Sequence, residues 1–232
     1  MNNKEDATFA QIPLDLKHRT AYGREDFLIS PCNQDAAAWI DKWPEWSAPA
    51  LILYGPAASG KTHLGAVWAT KSKAAILNPD DIVQNDAEAI SKISDNLVLR
   101  QAHLLIGDRA SEEKLFHLYN MAKEAKRSLL LTSRAPANGL TFTVPDLSSR
   151  LRAAPCIAIQ SPDEPLLTAL LVKLFRDRQI NVSQELIQYI MPRMERSFAA
   201  AQDLVIKADK RALAEKRNIT IPLIREVLMA EF

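Results

Sequence analysis

The sequence predicts an α/β domain built on a parallel five-stranded sheet, followed by a small domain made of helices. Short apolar runs alternate with longer helical patterns through the first two thirds of the chain. These runs are continuously apolar, which is typical of strands covered on both faces. After Ser161 the runs stop and helical spacing takes over. A chain of 232 residues with 47% hydrophobic and 25% charged residues is sufficient for one large core and a small second one.

Three segments follow in order along the chain. Residues 1–21 are polar apart from the apolar island QIPLDL, and we expect a flexible tail that carries a docking peptide. Residues 22–161 are predicted to form the α/β domain, and residues 162–232 are predicted to form the helical domain. The five strands are predicted at ALILY (50–54), AAIL (74–77), HLLI (103–106), SLLLTS (128–133) and CIAI (156–159).

Four helical patterns make up the second domain. They are PLLTALLVKLF, ELIQYIMPRM, FAAAQDLVIKADKRALAEKR and PLIREVLMAEF. Ser161, with Glu164 three residues later, predicts a capping box for the first helix. Ser183 and Thr220 are the predicted caps of two others.

Charge and hydropathy narrow the functional class. The formal net charge is +1, so no global positive field indicates nucleic acid as a partner. The opening MNNKEDATFA is unlike a secretory signal, and no run approaches the roughly 20 apolar residues that cross a bilayer. We expect a cytoplasmic protein that binds no membrane.

The strongest motif is a phosphate-binding loop, or P-loop. It consists of Gly55, Pro56, Ala57, Ala58, Ser59, Gly60, Lys61 and Thr62, and it matches G-x-x-x-x-G-K-[ST]. It lies between a predicted strand and a predicted helix, as the motif requires. Backbone N–H groups would hold the phosphates of ADP or ATP, Lys61 would bridge the terminal phosphates, and the Thr62 hydroxyl would bind Mg²⁺.

A nucleotide hydrolase also needs acidic residues at the end of a second strand, and LLIGDR at 104–109 is the candidate here. Asp108 would hold Mg²⁺ through water, or, one residue out of register, Gly107 would take the metal position and Asp108 would orient water. Asp108 as a mere turn cap is the third interpretation. In either functional register only one carboxylate remains, because Arg109 cannot act as a base. We therefore expect weak or absent intrinsic ATPase activity.

Three arginines are candidates for contacts with a nucleotide. Arg150, in PDLSSRLRAA, lies where a loop would present it outward, so it is the candidate for an arginine finger that acts on another subunit's γ-phosphate. Arg152 is its rival for this role. Arg196 lies at the head of a helix of the second domain and would reach back over the nucleotide. Each of them is also compatible with an ordinary solvated surface charge.

The order of these motifs resembles the AAA+ ATPases, and more closely their replication-initiator clade, which contains DnaA. The resemblance covers about residues 22 to 232. The segment that leads into the nucleotide site in this family resembles DFLISPCNQDAAAWI (26–40, with Phe27 and Asn33), and its Walker A region resembles LYGPAASGKTHL (53–64). The sensor 1 strand resembles LLLTSRAP (129–136). The finger box resembles LSSRL (147–151), and the sensor 2 helix resembles ERSFAAAQDLVIKA (195–208). The helical domain is then the AAA+ lid.

Two departures from DnaA point within this clade to the Hda regulators, which inactivate DnaA. The helix–turn–helix segment with which DnaA reads duplex DNA is absent before the end at Phe232, so we expect no sequence-specific DNA binding. QIPLDL is similar to peptides that dock on the DNA polymerase sliding clamp.

The resemblance implies a role for each matching residue. The clamp would be bound by Gln11, Leu14 and Leu16, and the chain's own nucleotide by Lys61 and Thr62. Arg150 would be the finger offered to ATP on DnaA, and Arg196 would be the sensor 2 residue. The implied function is negative regulation of replication initiation. A homo-oligomer is compatible with the resemblance.

Three alternatives differ in class. A small kinase fits poorly with about 50 residues before the P-loop and a terminal helical domain. A self-hydrolysing AAA+ loader would need competent strand-end acids and a basic surface for single strands, whereas NPDDIVQNDAEAISKISD is acidic. A clamp-binding adapter with a vestigial P-loop is the third.

Overall fold

The computed structural model describes residues 28–229. The predicted clamp-binding residues Gln11, Leu14 and Leu16, and also Phe27, lie outside the described residues. No helix in the described part of the chain is both long and apolar enough to pass through a membrane.

The predicted fold class is confirmed: five parallel strands form one sheet in the order β2-β3-β4-β1-β5. The strands are β1 Ala50–Tyr54, β2 Ala75–Leu77, β3 Leu97–Leu99, β4 Leu129–Ser133 and β5 Cys156–Ala158. Strand β1 lies between β4 and β5 and pairs in parallel with both. The phosphate loop therefore leaves the interior of the sheet, beside the carboxyl ends of its neighbours.

One predicted strand is wrong. The run HLLI at 103–106 forms no strand; a 3₁₀ turn covers Ala102–Leu104, and the strand is the earlier run Leu97–Leu99. Gln101 ends that strand by adopting a left-handed backbone with φ 51°. The two apolar runs differ in burial, since all three residues of β3 are buried whereas Leu104 is 59% exposed.

Helices cover both faces of the sheet. They are α1 Gln34–Asp41, α2 Lys61–Ser72, α3 Pro79–Gln84, α4 Ala87–Ser91, α5 Arg109–Glu124 and α6 Pro145–Ala153. One core joins α1 and α2 to the sheet through Leu53, Leu64, Trp68 and Val98. A second core packs α3 to α6 against the opposite face of the sheet. Successive residues of a strand point to opposite faces, so each strand contributes alternate residues to the two cores.

The helical lid consists of α7 Glu164–Arg176, α8 Gln184–Ile190, α9 Phe198–Glu215 and α10 Ile221–Met229. Its core also takes in Leu28 and Cys32, which precede α1. The predicted cap Ser183 is confirmed, since its side chain accepts from Leu186 N. The predicted box at Ser161 is wrong because Asp163 caps α7, accepting from Leu166 N at 2.9 Å.

Candidate functional site

The phosphate loop joins β1 directly to α2, as its sequence predicts. Gly55 has φ +153°, and a Cβ there would lie 2.0 Å from the carbonyl oxygen of Ile159, so only glycine fits beside this backbone. Gly60 has φ +96° and precedes the first residue of α2. The loop thus turns backbone N–H groups and the start of a 12-residue helix toward one point, which is the arrangement that binds phosphate.

Lys61 lies folded over this loop. Its ammonium donates to the carbonyl oxygen of Gly55 at 2.8 Å, to that of Pro56 and to Ser59 Oγ at 3.1 Å. Burial lowers the pKa of Lys61, and the positive charge of Arg134 lowers it further. A neighbouring carboxylate would shift the pKa in the opposite direction. The surroundings of this lysine are therefore short of negative charge.

The lid touches the phosphate loop at the start of α9. Phe198 N donates to the carbonyl oxygen of Ala58 at 3.3 Å, and the Phe198 ring lies 3.5 Å from where a Cβ on Gly60 would be. Ser197 caps α9 by accepting from Ala200 N at 3.1 Å. The N-terminal end of α9 is thereby fixed against the phosphate loop.

Arg196, the predicted sensor 2 residue, lies two positions before Phe198 in the chain. Its guanidinium is 3.6 Å from the carboxylate of Glu164, and both side chains are mostly exposed. An exposed pair of this kind contributes little stability, so Arg196 is held loosely. It is brought near the loop by the same turn that docks α9.

The end of β3 carries no acid. Arg100 and Gln101 follow the strand directly, and Gln101 N donates to Thr132 Oγ1 on β4 at 3.0 Å. Val98 faces α2, where its Cγ1 lies 3.4 Å from where a Cβ on Gly65 would be. Because side chains alternate along a strand, Arg100 falls on that same α2 face.

Two further nitrogen groups lie beside the loop. Burial lowers the pKa of His103, and the charges of Arg134 and Lys61 lower it further. Nδ1 of His103 is buried and has no hydrogen-bond partner among residues 28–229. Arg134 directly follows β4 and is exposed. The ends of β3 and β4 thus gather positive and neutral nitrogen groups around Lys61.

Asp108 is not at the end of a strand, so both predicted registers for Gly107 and Asp108 are wrong. Its carboxylate accepts from Ser111 N at 2.9 Å and caps α5. This bond to Ser111 lowers the pKa of Asp108. The third interpretation, a capping role, is the one the structure supports. The 3₁₀ turn Ala102–Leu104 lies between β3 and Asp108, so the chain has already left the strand end before it reaches Asp108.

The residues present do not fit a Mg²⁺ site. Such a site uses carboxylate oxygens, yet Arg100 and Gln101 stand at the end of β3 and Asp108 caps a helix. No three His, Cys, Asp or Glu side chains gather in a metal-sized group anywhere in the described ranges. The hydroxyl of Thr62 alone, exposed on the first turn of α2, is not a cation site.

The two candidate finger arginines lie on α6, each over an aromatic ring. The guanidinium of Arg150 is 5.3 Å from the ring centroid of Phe116 and 5.5 Å from that of Tyr119, both on α5. Arg152 lies 6.0 Å from the ring of Phe142 and is exposed. Arg150 is half-buried and held by two rings, so its side chain is the more strongly oriented of the two.

Sequence reasoning missed Glu112, a fully buried carboxylate on α5. It accepts from Gly107 N at 2.7 Å, from Thr143 N at 2.9 Å and from Val144 N at 2.7 Å. Burial raises its pKa, but these backbone bonds outweigh burial and lower it. Glu112 therefore fixes the start of α6, the helix that carries Arg150. Its signal in the sequence is an acid on the apolar stripe of α5, with Leu115 three residues on.

The lid has a family match. Residues 164–228 match the model described as "Hda, lid domain". Among curated relatives, the chromosomal replication initiator protein DnaA of Aliarcobacter butzleri is 23% identical over 227 residues, which cover 90% of this chain and 52% of that protein. The DnaA of Clavibacter sepedonicus is 22% identical over 237 residues, 92% of this chain and 49% of that one. The chain thus spans about half the length of these relatives.

Solved structures share the fold. Domain III of the Thermotoga maritima replication initiation protein DnaA superposes with a TM-score of 0.77 at 16% identity, covering 91% of this chain and 97% of that one. AMPPCP-bound DnaA from Aquifex aeolicus gives a TM-score of 0.69 at 17% identity, over 82% of this chain and 66% of that one.

Proposed function

The chain is a DnaA-like AAA+ protein of the Hda type, and on that premise we propose that it is a negative regulator of replication initiation. It docks on the DNA polymerase sliding clamp and promotes hydrolysis of the ATP bound to DnaA. Arg150 supplies the arginine finger in trans. Its own nucleotide, ADP or ATP, is held by residues 55–62, and its own ATPase activity is weak or absent.

The observation that carries this proposal is the contrast between an intact phosphate loop and an end of β3 without an acid. In a metal-dependent hydrolase a carboxylate at this strand end holds Mg²⁺ or acts as a base toward water, and neither Arg100 nor Gln101 is a carboxylate. A chain that retains the loop without that group is suited to bind a nucleotide and not to cleave it. The chemistry would then take place on a partner, with this chain supplying charge.

The environment of Arg150 supports the choice of finger. A finger must reach the γ-phosphate of another molecule while its own backbone stays fixed. Glu112 fixes the residues just before α6, and the guanidinium lies within cation–π distance of the rings of Phe116 and Tyr119. Its N–H donors would bond the phosphate oxygens of the partner's nucleotide.

The proposed role of the bound nucleotide is structural. Phe198 already bonds the loop at Ala58, and Arg196 lies two positions before it. Phosphates in the loop would attract Arg196 away from its weak pair with Glu164. Nucleotide binding would thereby fix the lid against the α/β domain, in the sensor 2 role proposed for this arginine.

Phosphate release from ATP-loaded DnaA, with clamp loaded on DNA, tests the finger. Arg150→Ala is expected to lower the stimulated rate by about 10³-fold or more, as for other fingers. Arg152→Ala is the matched control, on the same helix and also over an aromatic ring, and it should retain most of the stimulation. Full stimulation by Arg150→Ala would contradict the assignment, and a loss with Arg152→Ala alone would transfer the role to that residue.

A second experiment tests the clamp partner. Deleting residues 11–16, QIPLDL, or changing Gln11, Leu14 and Leu16 to alanine should abolish capture of the chain by immobilised clamp. The thermal unfolding midpoint should not change. Unchanged capture would contradict the docking proposal.

The missing carboxylate at the end of β3 is also compatible with one alternative, a clamp-binding adapter with a vestigial P-loop. Thermal unfolding with ADP or ATP separates the two, because a ligand that binds only the folded state raises Tm. A rise supports the nucleotide-binding regulator. The absence of any rise, with clamp capture intact, would favour the adapter. A self-hydrolysing loader is disfavoured by the residues at the end of β3.

A further inference from the structure

Cationic residues lie at the edge of the sheet where the terminal phosphate of a nucleotide would lie. Three segments contribute: Lys61 begins α2, Arg100 follows β3 and Arg134 follows β4. In parallel sheets the carboxyl ends of neighbouring strands meet at one edge, and β1, β4 and β3 are consecutive in this sheet. The backbone therefore brings all three residues to the edge where the phosphate loop lies, and the charge of Arg134 acts on Lys61.

His103 adds a donor to the same place. Its Nδ1 is buried without a hydrogen-bond partner in the described part of the chain, which is costly for a polar atom unless a ligand supplies the partner. Burial lowers the pKa of this ring most, and the charges of Arg134 and Lys61 lower it further, so both cations are near it. An anion placed there would satisfy the imidazole and offset the two like charges.

Gly55, Arg100 and Arg134 directly follow β1, β3 and β4, so no carboxylate stands at the ends of the three strands beside the phosphate loop. A Mg²⁺ ion brought to Arg100 and Arg134 would meet like charge, which is the reverse of what a metal site offers. Guanidinium groups, by contrast, match phosphate oxygens in charge and geometry.

We propose that this pocket binds the phosphates of ADP without a divalent metal, using Lys61, Arg134 and His103, with Arg100 at the end of β3, in place of Mg²⁺. This inference rests on the proposed nucleotide site and specifies how that site neutralises its ligand. It also accounts for weak hydrolysis, since no metal is held to polarise the terminal phosphate.

Calorimetric titration of the nucleotide-stripped full chain with ADP, once in Mg²⁺ and once in EDTA, is the test. The Kd should change by less than about twofold between the two conditions. A Kd that rises by about tenfold or more in EDTA would overturn the inference while leaving the proposed nucleotide site intact. Failure to bind in both conditions would instead overturn the nucleotide site, and this inference with it.

Variants make the test specific. Arg134→Ala should weaken ADP about tenfold or more in both conditions, the loss typical of a charged hydrogen bond, and Arg134→Lys should recover part of it. Arg109→Ala, an exposed arginine paired with Glu113, is the control and should bind as wild type does. Wild-type affinity in Arg134→Ala would contradict the inference.

Arg100→Asp tests the reverse change. This variant puts a carboxylate at the end of β3, where a metal-dependent enzyme has one. ADP should then bind more tightly in Mg²⁺ than in EDTA, a dependence that the wild type lacks. The unfolding midpoint of each variant, measured without ADP, separates a local effect from loss of the fold.

Discussion

The phosphate loop and the α5–α6 pair use charge in opposite ways. Around the loop, burial lowers the pKa of Lys61 and that of His103, and the positive charge of Arg134 lowers both further. On the opposite face of the sheet, a buried carboxylate, Glu112, bonds three backbone amides and fixes the helix that carries Arg150. The comparison indicates that in this chain a buried carboxylate positions an arginine, whereas the strand ends beside the proposed nucleotide pocket have no carboxylate for catalysis.

Glu112→Gln is expected to have the largest effect on stability. The amide NH₂ of glutamine would face one of the backbone N–H donors, and a buried charged hydrogen bond would be lost. We expect the free energy of unfolding to fall by about 2–3 kcal/mol, measured by urea denaturation. Stimulation of DnaA should fall as well, because α6 loses its anchor.

The control and the pH dependence sharpen this prediction. Glu113→Gln changes an exposed side chain that pairs with the exposed Arg109, and it should cost no more than about 0.5 kcal/mol. Since the folded pKa of Glu112 is depressed, its contribution is present above its unfolded pKa and is lost as pH falls through the folded value. Stability of Glu112→Gln should therefore fall less on acidification than that of wild type. Equal acid sensitivity would contradict the role of Glu112.

Gly55→Ala probes the loop side of the comparison. A Cβ at this position would lie 2.0 Å from the carbonyl oxygen of Ile159, so β1 and the segment after β5 must separate. We expect a loss of about 1–3 kcal/mol and loss of ADP binding. Gly139→Ala, whose Cβ would meet only ordinary contacts, should change stability by no more than about 0.5 kcal/mol. A stable, ADP-binding Gly55→Ala would contradict this account of the loop.

Ser197→Ala separates the lid contact from general lid stability. Ser197 and Ser183 each cap a lid helix through one backbone N–H, so either change to alanine should cost about 1 kcal/mol. Only Ser197 begins the helix that touches the phosphate loop. ADP affinity should therefore fall in Ser197→Ala and stay unchanged in Ser183→Ala. Equal affinities in the two variants would remove the lid contact from the nucleotide site.

The smallest effect concerns pH. Burial, Arg134 and Lys61 lower the pKa of His103, and bound phosphate would raise it again. Binding should then take up a proton, and ADP should bind more tightly as pH falls from about 8 to about 6, by less than about tenfold per pH unit. His103→Gln should lose this dependence, whereas the exposed His117→Gln should keep it. Retention in His103→Gln would assign the proton to another group.

Much of the fold could be predicted because continuous apolarity and P-loop spacing are local signals. ALILY, AAIL, SLLLTS and CIAI all contain strands of the sheet, and the lid helices follow their apolar periodicity. HLLI failed because an apolar run of four residues does not reveal whether it is buried on both faces. Leu104 is largely exposed, whereas the preceding run, Leu97–Leu99, is covered.

The error at the site followed from the error in the strand. In that region of the sequence, Asp108 is the acid that follows an apolar run. Because the run HLLI was predicted to be a strand, Asp108 was predicted to be the metal-binding acid at a strand end. The true end of β3, at Arg100 and Gln101, has no carboxylate to hold a metal or act as a base. Glu112 could not be found because its role depends on amides at 143 and 144, about 30 residues away, which only the tertiary structure brings to it.

Phosphate release with the label on one partner at a time tests the central claim most directly. DnaA is loaded with ATP labelled at the γ-phosphate and this chain with unlabelled ATP, and then the labels are exchanged, each time with clamp loaded on DNA. We expect labelled phosphate to be released only when the label is on DnaA. Release at a comparable rate from ATP held by this chain would contradict the account, because its pocket would then be a catalytic one.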